Sequence, residues 1–356
     1  MIDVVVVTYN AKQTLERCLD SIRRNTSIDY ALTILDNAST DGTFKYLESL
    51  QPAGVRVIRA PKNLGFSGAA NLVLKTLNGE FVALLDDDIE VPAGWLEDLY
   101  SQISDKPNVG IVGGKIVYPN QRIMAAEVRM NPIRCPSANE LDKGQREYIK
   151  ECDTLIGPCW LMRRELITKV GDFDERFFPS QGDDYDYCIR TRLAGFKIVY
   201  HGQVKIVHHH LFRTGSANQN RTNRLAFRAK WSEVFTQFPL ADSHSADQSM
   251  AKAIQLLQSK EFKGALERCE QVERLDPQLS EPIVKALALA GLGQAEEASR
   301  IFGQLLELNP SNFLAHHYLM KISNAGSNSD LSNAALSLGS DLLQRVQLQI
   351  SGSNVS

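Results

Sequence analysis

No Cys-x-x-Cys pair occurs among the six cysteines of this 356-residue chain (Cys18, Cys135, Cys152, Cys159, Cys188 and Cys269). That argues against a disulfide scaffold and a structural zinc site, and makes reduced thiols the expectation. Nowhere do about eighteen apolar residues follow one another, and Met1 leads into Ile2-Asp3-Val4-Val5-Val6-Val7 without a basic leader, so neither a membrane span nor secretion is expected. An excess of charge is missing too. Lys and Arg number 39 against 42 Asp and Glu, a net −3, so no global field favours nucleic acid or an anionic bilayer, and any anion site must be local. A P-loop and a Gly-x-Gly-x-x-Gly after the first strand are likewise absent, which counts against NTPases and dinucleotide oxidoreductases. What is present is 43% hydrophobic residues over a length that suits two or three domains with real cores.

Residues 2–7 form a continuous β-branched apolar run, too short for a helix and suited to a parallel strand covered on both faces. Leu15, Cys18, Leu19 and Ile22 then fall at i, i+3, i+4 and i+7, one buried helical stripe. The alternation repeats, with strands expected at 31–35, 55–58, 81–85 and 109–117 and helices at 69–77 and 92–103, the latter with proline in its first turn. Such βαβα order predicts an α/β fold with a mainly parallel, Rossmann-like sheet and helices on both faces. From 118 to 210 the pattern is less regular, with a helix over 184–194 and a strand over 196–200; 217–237 reads as helical again. There Arg221, Arg224 and Arg228, with Lys230 nearby, make a basic face that reads as solvated or salt-bridged.

From about 246 the composition shifts to Ala, Leu, Gln and Glu. Leu275-Asp276-Pro277 and Leu308-Asn309-Pro310 stand 33 residues apart, and the pairs Ala265/Ala298 and Cys269/Phe302 repeat in step. This resembles the tetratricopeptide repeat, which stacks helical hairpins. A helix at 313–322 and an amphipathic segment at 331–346 are expected to complete or cap the stack. The expected division is a catalytic domain at 1–240, helical repeats at 246–350 and a tail at 351–356.

In an open parallel sheet, ligands bind at the carboxyl ends of strands. Here those ends are polar and acidic: Thr8-Tyr9-Asn10, Asp36-Asn37-Ala38-Ser39-Thr40-Asp41-Gly42, and Asp86-Asp87-Asp88. Three adjacent carboxylates repel one another and call for a cation or a hydrogen-bond network; Mg²⁺ or Mn²⁺ is the natural candidate, since such ions take one or two carboxylates and leave other positions to water and phosphate. A second acidic cluster, Asp183-Asp184-Tyr185-Asp186, suits a general base, because crowded carboxylates have raised pKa values. His208-His209-His210 closes an apolar run, and one of these imidazoles would complete a mixed oxygen and nitrogen shell.

Taken in order, Val7 to Asn10, Leu35 to Thr43, Asn63-Leu64-Gly65-Phe66-Ser67-Gly68-Ala69-Ala70-Asn71, Leu84 to Asp88, Gly171 to Glu175, Asp183 to Arg190 and His208 resemble a family 2 glycosyltransferase of the A-type fold, nearest its rhamnosyltransferase-like branch. The resemblance covers roughly 1–235. It implies a nucleotide-diphospho-sugar donor, a hexosyl or deoxyhexosyl group leaving UDP or dTDP with inversion, and a glycan, lipid-linked or protein acceptor. By position it places Thr8, Asn10 and Asp36 against the nucleoside, with Asp36 accepting from the base, and Asn63 and Gly65 beside the nucleotide. Asp86 and Asp88 match the ends of the Asp-x-Asp element and His208 the histidine that completes the metal shell. The Asp183-Asp184 pair matches the element that carries the base, assigned to Asp184. Trp160 is expected near the acceptor, where a ring stacks on sugar. The implied setting is cytoplasmic, at most peripheral to the inner face of a membrane, with a protein partner or self-association through the helical repeats. The alternative is a nucleotide-binding scaffold that acts through its repeats without turnover.

Overall fold

The computed structural model describes residues 1–51, 54–130, 133–135, 137–209, 222–223, 226–227, 230–231, 245–275, 281–308 and 312–324. The chain divides into two compact units, Met1–Arg129 with Glu147–Ala241, and Met130–Arg146 with Asp242–Ser356. The described residues of the 130–146 segment group with the second unit. There the Leu141 N–H donates to the Leu308 carbonyl at 3.0 Å, and Arg146 pairs with Glu281 at 3.7 Å.

The chain opens with β1 (Ile2–Thr8), α1 (Lys12–Asn25), β2 (Tyr30–Asp36), α2 (Thr43–Leu50), β3 (Arg56–Arg59), α3 (Gly65–Leu74) and β4 (Phe81–Asp86). It continues through β5 (Ile89–Glu90), α4 (Trp95–Ser101), β6 (Val109–Val117), β7 (Ile123–Ala125), β8 (Arg129–Met130), β9 (Ile133–Arg134) and β10 (Ile149–Cys152). Then come β11 (Cys159–Arg163), α5 (Leu166–Lys169), a 3₁₀ turn at Glu175–Phe177, α6 (Asp183–Leu193) and β12 (Lys197–His208). The main sheet has the order β10-β12-β6-β11-β4-β1-β2-β3. It is parallel from β4 through β3 and between β12 and β6, while β11 runs antiparallel between β4 and β6.

β1 is buried along its whole length, as its apolar run requires, and alternate residues serve opposite cores. Val4 and Val6 pack with Leu15, Leu19 and Ile22 of α1 on one face. Val5 and Val7 pack with Ala69, Ala70 and Val73 of α3 on the other. The periodicity locates these elements, with shifts that have local causes. α3 starts four residues before the expected 69 because the Asn63 side chain accepts the Gly65 N–H at 2.9 Å. α4 starts at Trp95 because Gly94 takes a left-handed φ of 73°, which cannot continue a helix from Pro92. The strand expected at 196–200 is longer, and it carries His208 to the sheet's functional edge.

Between β7 and β10 lies a buried charge network. Glu127 is fully buried; its Oε1 accepts from Arg129 Nη2 at 2.6 Å and from the Tyr148 hydroxyl. Burial pushes the Glu127 carboxyl up, but the Arg129 and Lys150 charges and these hydrogen bonds outweigh it and hold the pKa at about 2. A depressed carboxyl contributes stability that is present above its unfolded value, ~4.3, and lost as the pH falls through the folded one. Glu127→Gln removes the nearest counter-charge of the largely buried Arg129 and should cost about 3 kcal/mol at pH 7. Melting curves should show that difference from wild type shrinking between roughly pH 5 and pH 2; a gap that stays constant with pH would contradict the assignment. The neighbouring Val128–Thr154 bridge connects this network to the chain entering Gly157-Pro158.

The second unit contains α7 (Ser245–Gln258), α8 (Phe262–Leu275), α9 (Pro282–Gly291), α10 (Ala295–Leu308) and α11 (Phe313–Asn324). Ala265, Cys269, Ala298 and Phe302 are all fully buried. The Phe302 and Tyr318 rings stack with centroids 5.2 Å apart, joining α10 to α11. The turn prolines Pro277 and Pro310, the 331–346 segment and the 351–356 tail lie outside the described residues. No helix among the described residues is long and apolar enough to cross a membrane.

Candidate active site

Register brings the polar strand ends together: Thr8 lies opposite Asp36, and Val7 opposite Asp86. Beyond β1 the chain turns at Asn10, whose φ of 48° is left-handed. Asn10 is fixed there by its N–H to Ser39 Oγ at 2.9 Å and by Thr40 N donating to its Oδ1 at 2.8 Å. Thr8 Oγ1 is buried without a hydrogen-bond partner among the described residues. Asn37 fastens the loop before α3: its Nδ2 donates to Asn63 Oδ1 and the Gly65 carbonyl, both at 3.1 Å, and its Oδ1 accepts from Leu64 N at 2.8 Å. Gly65 has φ 69°, and a Cβ there would stand 2.8 Å from the Phe178 ring, so no larger residue fits.

The acidic end of β4 splits into three roles. Asp87 faces β1 and accepts the Tyr9 N–H at 3.1 Å. Asp86 and Asp88 face His208, whose Nε2 lies 3.9 Å from Asp86 Oδ2 and 3.0 Å from Asp88 Oδ1. β12 delivers that imidazole because His208 pairs with Ile89 in the short antiparallel ladder to β5. One ligand atom from each of Asp86, Asp88 and His208 lies within 4.8 Å of the others. Asp88 and His208 are buried while Asp86 is partly open, so the set fits a divalent cation with free positions on the Asp86 side. Burial pushes the His208 imidazole down, but its hydrogen bond to Asp88 and the charges of Asp88, Asp86 and Asp87 push it up further, and the net shift is upward. The same field that attracts a proton attracts a metal. Of the other two histidines, His209 turns away to Glu90 at 2.6 Å, and His210 lies outside the described residues.

A turn at Gly157-Pro158 links this edge to the second acidic cluster. The Asp86 N–H donates to the Pro158 carbonyl at 3.0 Å, and the Gly157 N–H donates to Asp184 Oδ2 at 3.3 Å. Asp183 and Asp184 open α6, where the helix dipole favours negative charge. Asp183 is buried and accepts from the Ser67 hydroxyl at 3.3 Å and from its own backbone N–H. Burial and then the Asp184 charge raise its pKa, with Asp86 adding to the shift. Asp184 is also raised by burial, but the Tyr185 and Gly157 N–H groups oppose the shift and favour its anion. Burial thus raises both carboxyls, and the two backbone N–H groups on Asp184 favour ionisation there.

Two expected roles change. Trp160 is 1% exposed; its Nε1 donates to the Ile156 carbonyl at 2.8 Å and its ring stacks on Phe173, so it is a core residue with no face for an acceptor. Asp36 is 0% exposed, and its carboxylate accepts from Ser39 N and pairs with Arg59 Nε at 3.4 Å. It shapes the loop and offers a base no exposed acceptor. Asn37, Asp87 and Ser67 carry no role assigned from the sequence, although all three sit inside the motifs quoted above. The Arg221, Arg224 and Arg228 side chains lie outside the described residues, whereas Lys230 is ion-paired with Asp174 and Asp186.

Residues 3–171 match the glycosyl transferase family 2. The N-acetylglucosaminyl-diphospho-decaprenol L-rhamnosyltransferase of Mycobacterium tuberculosis is 30% identical over 271 residues, 69% of this chain and 85% of that protein. The chain belongs to the family 2 glycosyltransferases. This glycosyltransferase is also 26% identical over 229 residues to the amylovoran biosynthesis glycosyltransferase AmsB of Erwinia amylovora, covering 62% of this chain and 73% of AmsB. Among solved structures, GalNAc-T7 with UDP, GalNAc and Mn²⁺ superposes with a TM-score of 0.53 at 16% identity, over 66% of this chain and 50% of that one. The glycosyltransferase thus has the A-type α/β fold, followed by a helical region, and transfers a sugar from a nucleotide-sugar donor.

Proposed function

We propose that this enzyme is a metal-dependent, inverting glycosyltransferase that moves a hexosyl or deoxyhexosyl group from a UDP- or dTDP-sugar to a hydroxyl of a glycan, with a lipid-linked glycan favoured over a protein acceptor. The observation that carries this reading is the Gly157-Pro158 turn, which joins the Asp86/Asp88/His208 set to Asp184 through one hydrogen bond on each side. The named acceptor of the mycobacterial relative, a diphospho-decaprenol-linked sugar, supports the choice of acceptor. Asp86, Asp88 and His208 would hold Mn²⁺ or Mg²⁺, which when bound neutralises negative charge on the leaving diphosphate.

The protein's own groups do the rest. Asn10 and the Asn37-fastened loop at Asn63 and Gly65 border the nucleotide, and Thr8 Oγ1 is a buried polar atom awaiting a partner at the same edge. Asp184, kept ionisable by two backbone N–H groups, takes the proton of the acceptor hydroxyl as its oxygen attacks the anomeric carbon. Burial and the Asp184 charge favour the neutral form of Asp183 beside it, which would keep a second negative charge out of the base's surroundings. In the second unit, the paired burial of Ala265/Ala298 and Cys269/Phe302 supports tetratricopeptide-like hairpins, which would position an acceptor or dock a partner at the cytoplasmic face of a membrane.

Thermal stabilisation by UDP, dTDP and GDP, each with Mn²⁺, Mg²⁺ or chelator, tests the reading. A metal-dependent rise with UDP or dTDP is expected; no rise with any nucleotide would contradict it.

A further inference from the structure

The helical residues between 222 and 231 have a task that the site description leaves open. Asn223 is completely buried, and its one amide nitrogen reaches three carbonyls of a single turn: Phe177 at 2.8 Å, Phe178 at 3.1 Å and Ser180 at 2.7 Å. Four residues on, the Phe227 ring lies 6.3 Å from that of Phe177 and 6.0 Å from that of Tyr185. One turn further, Trp231 Nε1 donates to Asp186 Oδ1 at 3.0 Å, and Lys230 Nζ pairs with Asp186 at 2.5 Å and Asp174 at 2.7 Å. Positions 223, 227, 230 and 231 share one helical face by spacing. The partners named here all belong either to the segment leading into α6 or to the first turn of α6 itself.

The opposite side of the same turn is tied to the donor edge. Phe66 N donates to the Pro179 carbonyl at 2.8 Å, and the Phe178 ring presses on Gly65. The turn is thus clamped between the loop that borders the nucleotide and the 222–231 face, and it ends at Gly182, whose φ of 93° launches α6 directly into Asp183 and Asp184. Three converging carbonyls need a donor, and an apolar residue of the same size would leave them buried and unsatisfied. A side chain with one NH₂ is what that geometry selects.

We propose that Asn223 is a positioning residue: by gathering the 177–182 turn it fixes the start of α6, and so the placement of Asp184 against the donor edge. This rests on the reading of Asp184 as the base. The test uses the full chain carrying Asn223→Asp, which keeps the shape but removes the donors, and Asn223→Ala. Peptide-level hydrogen–deuterium exchange is compared with wild type, and turnover is followed as nucleoside diphosphate release from whichever of UDP-N-acetylglucosamine, UDP-glucose and dTDP-L-rhamnose the wild type cleaves fastest with Mn²⁺. Faster exchange confined to 177–187 is expected, with kcat down about 100-fold, as for an ångström-scale misplacement of a reacting group, and donor KM within about twofold. Unchanged exchange in 177–187, or unchanged kcat despite faster exchange, overturns the proposal. So does a general loss of folding and nucleotide stabilisation in both variants, which would make Asn223 merely structural. Asp184→Asn in the same assay separates the two levels: full turnover there removes the base reading, whatever the Asn223 variants do.

Discussion

Asp184→Asn should abolish transfer, by roughly 10²–10⁴-fold in kcat, while Asp183→Asn should keep turnover within about threefold and make the protein more stable. The two residues are neighbours in sequence and opposite in consequence. Asp183 is buried and crowded by Asp184 and Asp86, which favours its neutral form; asparagine reproduces that form. Asp184 receives two backbone N–H bonds that favour its anion, and asparagine removes the basic oxygen. The stability effect has a definite sign. A carboxyl whose folded pKa is raised contributes stability that is complete below its unfolded value, ~3.9, and is lost as the pH rises through the folded one. Asp183→Asn cannot titrate, so it should melt above wild type at pH 8, by about 1–2 kcal/mol, and the gap should close toward pH 4. Melting curves across that range check it, with steady-state rates beside them. Equal loss of turnover in both variants would sink the division of roles.

Asp88→Asn should remove the metal dependence of nucleotide binding. Asp88 is the buried carboxylate of the Asp86/Asp88/His208 set, 3.0 Å from His208 Nε2, beside the ladder that pairs His208 with Ile89. In wild type, nucleotide at about 100 times its Kd with Mn²⁺ should stabilise the fold by about 2.7 kcal/mol, roughly 5–10 °C for a unit of this size. In the variant that rise should be no larger with Mn²⁺ than with chelator. The asparagine keeps the shape and can still hydrogen-bond His208, so the metal-free melting temperature should fall by only a few degrees. Retention of the full Mn²⁺-dependent shift would move the metal away from Asp88.

How much of this was legible in the sequence depends on range. β1, α1, β2, β4 and β6 were readable because each carries its own periodicity: Val4 to Val7 alternate between two cores, and Leu15, Cys18, Leu19 and Ile22 form one stripe. β11 was not, since Cys159–Arg163 is buried throughout and nothing local says that it runs antiparallel between β4 and β6. The candidate metal set was legible as a combination of motifs, and the register against Ile89 puts His208 beside Asp86 and Asp88 while His209 turns to Glu90. Asp36 and Trp160 misled for one reason: residue type announces what a side chain can bind, while its exposure depends on long-range packing. Asn223 lay beyond reach altogether, because its three partners stand 43 to 46 residues away.

The anomeric configuration of the first-formed sugar tests the account most directly. With Mn²⁺, the slow transfer of UDP-N-acetylglucosamine, UDP-glucose or dTDP-L-rhamnose to water can be followed by proton NMR before the free sugar equilibrates. One displacement assisted by Asp184 predicts a product inverted relative to its donor, with none formed by Asp184→Asn. A product that retains the donor configuration, or one released at the same rate by Asp184→Asn, would contradict it.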